Sequence, residues 1–141
     1  MTGQSAWPES AALGAATPAD PAVAPALAMF AELIPGLERR ADAYRVSTAD
    51  VDGEIRALFA QELARLLPEL RTACAAREAS VIRIHGHSLE GMGGAVGYPE
   101  ISVVGAELRR AAREAEWELC AGLTARLGTW RSLLAGPEQD A

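Results

Sequence analysis

The stretch SVIRIHGHSLEGMGGAVG, residues 80–97, holds both histidines of the chain and five of its thirteen glycines. Read as a helix, it sets Ile82, His85, Leu89, Met92 and Val96 at intervals of three and four, which gathers them into one apolar stripe. His85 belongs to that stripe and faces the core, while Arg83, His87, Glu90, Gly91 and Gly94 fall on a different side. Two positions along a helix amount to roughly 200° of rotation, so His85 and His87 cannot chelate one metal together. An HxH pair would suit a metal only on a strand, and this spacing does not read as one; no metal site is expected. Each glycine costs a helix about 1 kcal/mol relative to alanine, so the space must be needed. Gly91 and Gly94 lie one and two turns beyond His87 on its own face. Small residues there bare the surface around an exposed imidazole and let another protein approach closely.

Outward from this segment the helical period persists. Upstream, a helix starts after Ser47-Thr48, where Ser47 and Asp50 suit an N-terminus. It carries Ile55, Leu58, Phe59, Leu63, Leu66, Leu67 and Leu70 at helical spacing, and the stripe continues past Pro68. Ser80 is placed to cap the next helix, which runs to about Gly97. Pro99 fits the first turn of the following helix, ending near Glu116. Trp117 to Ala135 repeats Leu119, Leu123, Leu127, Trp130 and Leu134, with Gly136-Pro137 as the stop. Earlier, Ala26 to about Arg45 reads as helix interrupted at Pro35-Gly36, giving a kink or two short helices. The expected fold is all-α: an antiparallel four-helix bundle with an additional N-terminal helix covering one end. Residues 1–24, rich in Ala, Pro, Gly, Ser and Thr, read as a flexible tail, 25–136 as the bundle and 137–141 as a C-terminal tail.

Composition narrows the function. Aromatic residues make up only 5% of the 141, which favours helices over strands. The net charge is −6 and every one of the 13 cations is arginine, so the basic footprint of a nucleic-acid binder is missing. No stretch approaches the roughly 18 apolar residues of a membrane span. The start, MTGQSAWPES, lacks a signal peptide's basic and apolar regions, so a cytoplasmic protein without membrane attachment is expected. Cys74 and Cys120 lie far apart with no CxxC partner and read as buried, reduced thiols.

With an exposed histidine in a bare surround, His87-Ser88-Leu89-Glu90-Gly91 followed by Gly97 resembles the signature of the histidine-containing phosphotransfer domain of multistep two-component signalling. That signature is a histidine, any residue, leucine, lysine and glycine, then a glycine six positions on. The resemblance runs from Asp50 to Leu134, and takes in the leucine-rich helix before the motif, the Arg83 position and the Ala-Glu-Leu run at 106–108. It implies a phosphorelay in which His87 accepts a phosphoryl group from a receiver-domain aspartate and passes it to another. The implied partners are response-regulator receiver domains and a hybrid sensor histidine kinase. The receiver supplies the Mg²⁺, and the bundle needs no cofactor of its own. No kinase domain follows in this chain, which reads as a free-standing carrier rather than an enzyme.

Glu90 departs from the family pattern, which has lysine there. At about 5 Å, like charges cost roughly 1 kcal/mol in a water-like dielectric and about 3 kcal/mol at an effective value near 20. Glu90 therefore opposes a phosphoryl group on His87. Arg83, one turn before His87, and Arg109, on the next helix and able to pair with Glu90, are the candidate compensating cations. The alternative function is a binding module that docks a receiver or kinase without efficient transfer.

Overall fold

The structure is a computed structural model that describes residues 23–46 and 52–135. It contains α1 (Val23–Ala31), α2 (Leu37–Ala41), α3 (Gly53–Ala76), α4 (Ala79–Gly93), α5 (Pro99–Arg113) and α6 (Trp117–Ala135). Short 3₁₀ turns follow α2 (Asp42–Tyr44) and α4 (Gly94–Val96). No strand occurs among the described residues. The expected interruption at Pro35-Gly36 separates α1 from α2, and Gly36 takes a left-handed conformation with φ 71°.

Four helix boundaries differ from the sequence expectation. The cap of α3 is Asp52, whose carboxylate accepts a bond from the Ile55 amide at 3.0 Å; Ser47 and Asp50 lie outside the described residues. Ser80 does not cap α4. The two-residue link from α3 turns through left-handed Arg77, where the Glu78 amide bonds the Ala73 carbonyl at 2.8 Å. That link is so short that α4 has already begun at Ala79, leaving Ser80 inside its first turn. At the other end α4 stops at Gly93, and the chain tightens through the 3₁₀ turn to Gly97, whose φ of 97° suits glycine. α5 ends at Arg113, short of Glu116. Pro68 sits within α3 on its exposed side, and the helix continues past it.

The long helices α3 to α6 form the bundle. Gly93 lies on Ser102, Gly105 lies against the Glu90 amide and Gly86 meets Arg109, so residue numbers rise along α4 as they fall along α5. Likewise Arg71 lies beside Gly128 and Cys74 beside Thr124. Both pairs are antiparallel. Leu63, Leu66, Leu70, Ile82, Leu89, Leu108 and Leu123 are fully buried between them. Each such side chain contributes about 1.5–3 kcal/mol by burial. Where the start of α3, the α4–α5 link and the end of α6 converge, Phe59, Tyr98 and Trp130 pack ring to ring, with centroids 5.1–6.2 Å apart.

The helical arm α1–α2 is laid along the bundle's side, α1 on α6 and α2 on α5, where sequence reading had it capping an end. Phe30, Ile34 and Leu37 bury its apolar face. Arg126 pairs with Glu32 at 2.9 Å, and Arg40 reaches Glu107 of α5 at 3.1 Å.

Candidate functional site

The two histidines of α4 separate as their spacing requires. His85 is buried, 8% exposed, and its Nε2 lies 2.9 Å from Glu69 Oε1 on α3. It therefore ties α4 to α3. His87 points away from the core and is exposed. One turn before it stands Ile84, an apolar side chain left 63% in solvent. One turn after it stands Gly91, where an added Cβ would meet nothing within 4 Å. The result is an open strip in which an imidazole sits between a greasy side chain and bare backbone. The strip continues the reading of His87 and Gly91 made from sequence and adds Ile84. The only signal for Ile84 was negative: it is an isoleucine that does not fall on the buried stripe.

Gly94 does not extend this strip. It is buried, and a Cβ there would collide with the carbonyl of Tyr44. The rotation of a regular α-helix places residue 94 on the His87 face, but the chain has already entered the tighter 3₁₀ turn at that point. Tyr44 then covers it. The other glycines serve packing as well: a Cβ at Gly86 or Gly93 would strike α5. The glycines of this segment thus admit neighbouring backbone at 86, 93 and 94 and allow the positive φ at 97, while Gly91 alone among these five opens to solvent.

Glu90 is held by both oxygens. The Tyr44 hydroxyl donates to Oε2 at 2.7 Å, and Arg109 Nη1 donates to Oε1 in a salt bridge. Burial pushes the Glu90 carboxyl up, but the bonds from Tyr44 and Arg109 outweigh it and leave its pKa below the ordinary value, with the nearby His87 adding to the lowering. The backbone is fixed too. Ser102 Oγ donates to the Glu90 carbonyl at 2.7 Å and accepts the Gly94 amide at 2.8 Å. Arg109 is therefore the cation that meets Glu90. Arg83 is exposed and makes no ion pair among the described residues. Sequence reasoning missed Tyr44 entirely, since it lies 46 positions from Glu90 and carries no local signal.

Chemically, the site offers a nucleophilic imidazole on an approachable face, with a neutralised acid–base pair one turn away. No group of three or more His, Cys, Asp or Glu side chains among the described residues is placed to hold a metal ion. No described helix is long and apolar enough to cross a membrane. The two thiols read as distant in sequence both lie buried at the α3–α6 contact, where Cys74 Sγ is 3.4 Å from Thr124 Oγ1. A family model for the Hpt domain matches residues 54–135, more than half of the chain. No curated protein and no solved structure matches it.

Proposed function

We propose, from the premise that this chain belongs to the Hpt domain family, that His87 is the residue that carries its phosphoryl group. The family has a histidine phosphotransfer role in phosphorelays, as a phosphocarrier module that works with receiver domains and histidine kinases. In this reading a neutral imidazole nitrogen of His87 attacks the phosphorus of an aspartyl phosphate on a docked receiver. The P–N bond forms as the P–O bond to the aspartyl carboxylate breaks, and that carboxylate leaves. The same step in reverse loads the aspartate of a second receiver. The receiver brings the Mg²⁺ that neutralises the moving phosphoryl group, and a hybrid sensor kinase stands upstream. The proposal makes this a cytoplasmic carrier with no cofactor of its own and no nucleic-acid partner.

The observation that supports it is the exposure of His87 next to the open Gly91, on the α4 face opposite the buried His85. A flat receiver surface can reach the imidazole there, with Ile84 offering an apolar contact one turn away. The test is transfer of label from a phosphorylated receiver to the wild-type chain, to His87→Gln and to His85→Gln. Label should reach the wild type and His85→Gln but not His87→Gln. Label on His87→Gln would overturn the assignment.

The second reading, docking without transfer, draws on Glu90 one turn from the acceptor. Its pairing with Arg109 and Tyr44 weakens that argument, because the carboxylate is already neutralised. A receiver that binds the wild type tightly yet delivers no label would favour it.

A further inference from the structure

We infer that Tyr44 is a positioning residue of the acceptor site: its hydroxyl holds the Glu90 carboxylate in its pair with Arg109 and so keeps that charge turned away from His87. The inference rests on the reading of His87 as acceptor, but it concerns a residue that precedes the family-matching segment, which begins at residue 54.

Tyr44 is delivered to this point by construction of the arm. Leu37 and Ala41 bury one side of α2, and Arg40 anchors it to Glu107, itself 5% exposed, at 3.1 Å. The 3₁₀ turn then lays the Tyr44 backbone onto Gly94, a contact that no larger residue at 94 would permit. From there the phenol reaches Glu90 Oε2 at 2.7 Å. That bond to Glu90, followed by partial burial, raises the Tyr44 pKa above its ordinary value, so the hydroxyl keeps its proton and remains a donor.

Arg109 completes the clamp from the other side. A Cβ at Gly86 would lie 2.8 Å from Arg109 Cγ, so the arginine stem crosses α4 over Gly86 before its guanidinium meets Glu90 Oε1. Glu90, three positions beyond His87, is its neighbour on the helix surface. With one oxygen of Glu90 on Tyr44 and the other on Arg109, the carboxylate has no free oxygen to present to His87. A phosphoryl group on His87 carries nearly two negative charges near neutral pH. Freed from Tyr44, Glu90 would swing on a single contact and spend part of its time facing that group.

Tyr44→Phe removes one oxygen atom and keeps the ring on Gly94. The first measurement uses the unphosphorylated full chain and follows the Glu90 side-chain carboxyl by carbon NMR through an acid titration. Loss of the hydroxyl should move its midpoint upward, toward the ordinary glutamate value. The second loads His87 chemically with phosphoramidate and follows loss of phosphohistidine by phosphorus NMR at low salt. Its lifetime should fall roughly two- to fivefold in Tyr44→Phe, the size expected for one partly screened charge. In a Glu90→Gln background the same tyrosine change should alter the lifetime no further, because no carboxylate remains to be positioned. An unmoved Glu90 titration would overturn the inference, as would a shortened lifetime that persists in full in the Glu90→Gln background. If no receiver ever transfers to His87, the acceptor reading fails, while the titration still decides whether Tyr44 positions Glu90.

Discussion

Gly91 and Gly94 stand three residues apart at the end of α4, and a methyl group added at each has opposite consequences. At Gly91 the methyl enters open space on a regular helix, so Gly91→Ala should raise stability by up to about 1 kcal/mol. At Gly94 it strikes the Tyr44 carbonyl, and Gly94→Ala should lower stability by about 1–3 kcal/mol, as overpacking does. Thermal melts of the two variants decide the matter: shifts of the same sign would contradict the packing described here. Gly91→Leu then tests docking without the confusion of misfolding, and should reduce transfer from a receiver while the melting temperature holds. Which histidine is buried and which exposed could be read from spacing alone because helical rotation is a local property. The role of Gly94 could not, because it is set by a tyrosine 50 positions earlier in the chain.

At the scale of elements, apolar spacing was a reliable guide to which segments are helical and a poor guide to where they begin. Leu63, Leu66, Leu67 and Leu70 of α3 and Leu123, Leu127, Trp130 and Leu134 of α6 recur at three and four because they face one core, a regularity written in the chain itself. Ile55 and Leu58, read into the same stripe, stand exposed at the start of α3. A start is decided by which side chain reaches a free amide once the preceding turn is set. Both Ser47 and Ser80 have the chemistry of a cap, but Asp52 makes the bond for α3, and α4 starts one residue before Ser80. Asp52→Ala should therefore cost about 1 kcal/mol in denaturant unfolding, with the slope unchanged. Ser80→Ala should cost close to nothing. An equal loss in both would mean that the serine participates in capping after all. The arm was legible as two short helices around Pro35-Gly36. Its path along α5 and α6 was not, since Phe30, Ile34 and Leu37 state only that one face is buried and not against what.

For the molecule as a whole, two carboxylates, the half-buried Glu90 and the buried Glu107, join the arm to the bundle. Glu90 receives Tyr44, and Glu107 of α5 receives Arg40 of α2 at 3.1 Å together with Arg110 of its own helix at 2.6 Å. Burial pushes the Glu107 carboxyl up, but the bonds from Arg110 and then Arg40 more than offset this, leaving its pKa below the ordinary value. Glu90 is lowered in the same direction. A carboxyl whose folded pKa lies below its unfolded one stabilises the fold at pH above the unfolded value and loses that contribution as pH falls through the folded value. The melting temperature should therefore stay level from neutral pH down to the region of the ordinary glutamate value, 4.5, and fall below it. Glu107→Gln keeps the shape but cannot carry the charge. Its side chain is only 6% exposed, so little of the interaction is lost to solvent screening. Exchanging charged for neutral hydrogen bonds there should cost about 1.5–3 kcal/mol at pH 7. The acid limb of the variant should also be shallower than that of the wild type, because one of the groups that titrates on unfolding is gone. Arg40→Ala should lose stability at neutral pH as well, since it leaves Glu107 with Arg110 as its remaining cation. Melts of the three proteins between pH 7 and 3.5 give the answer. If Glu107→Gln matches the wild type at neutral pH and falls in parallel with it in acid, the arm is held by its apolar face alone, and the acid sensitivity must come from elsewhere.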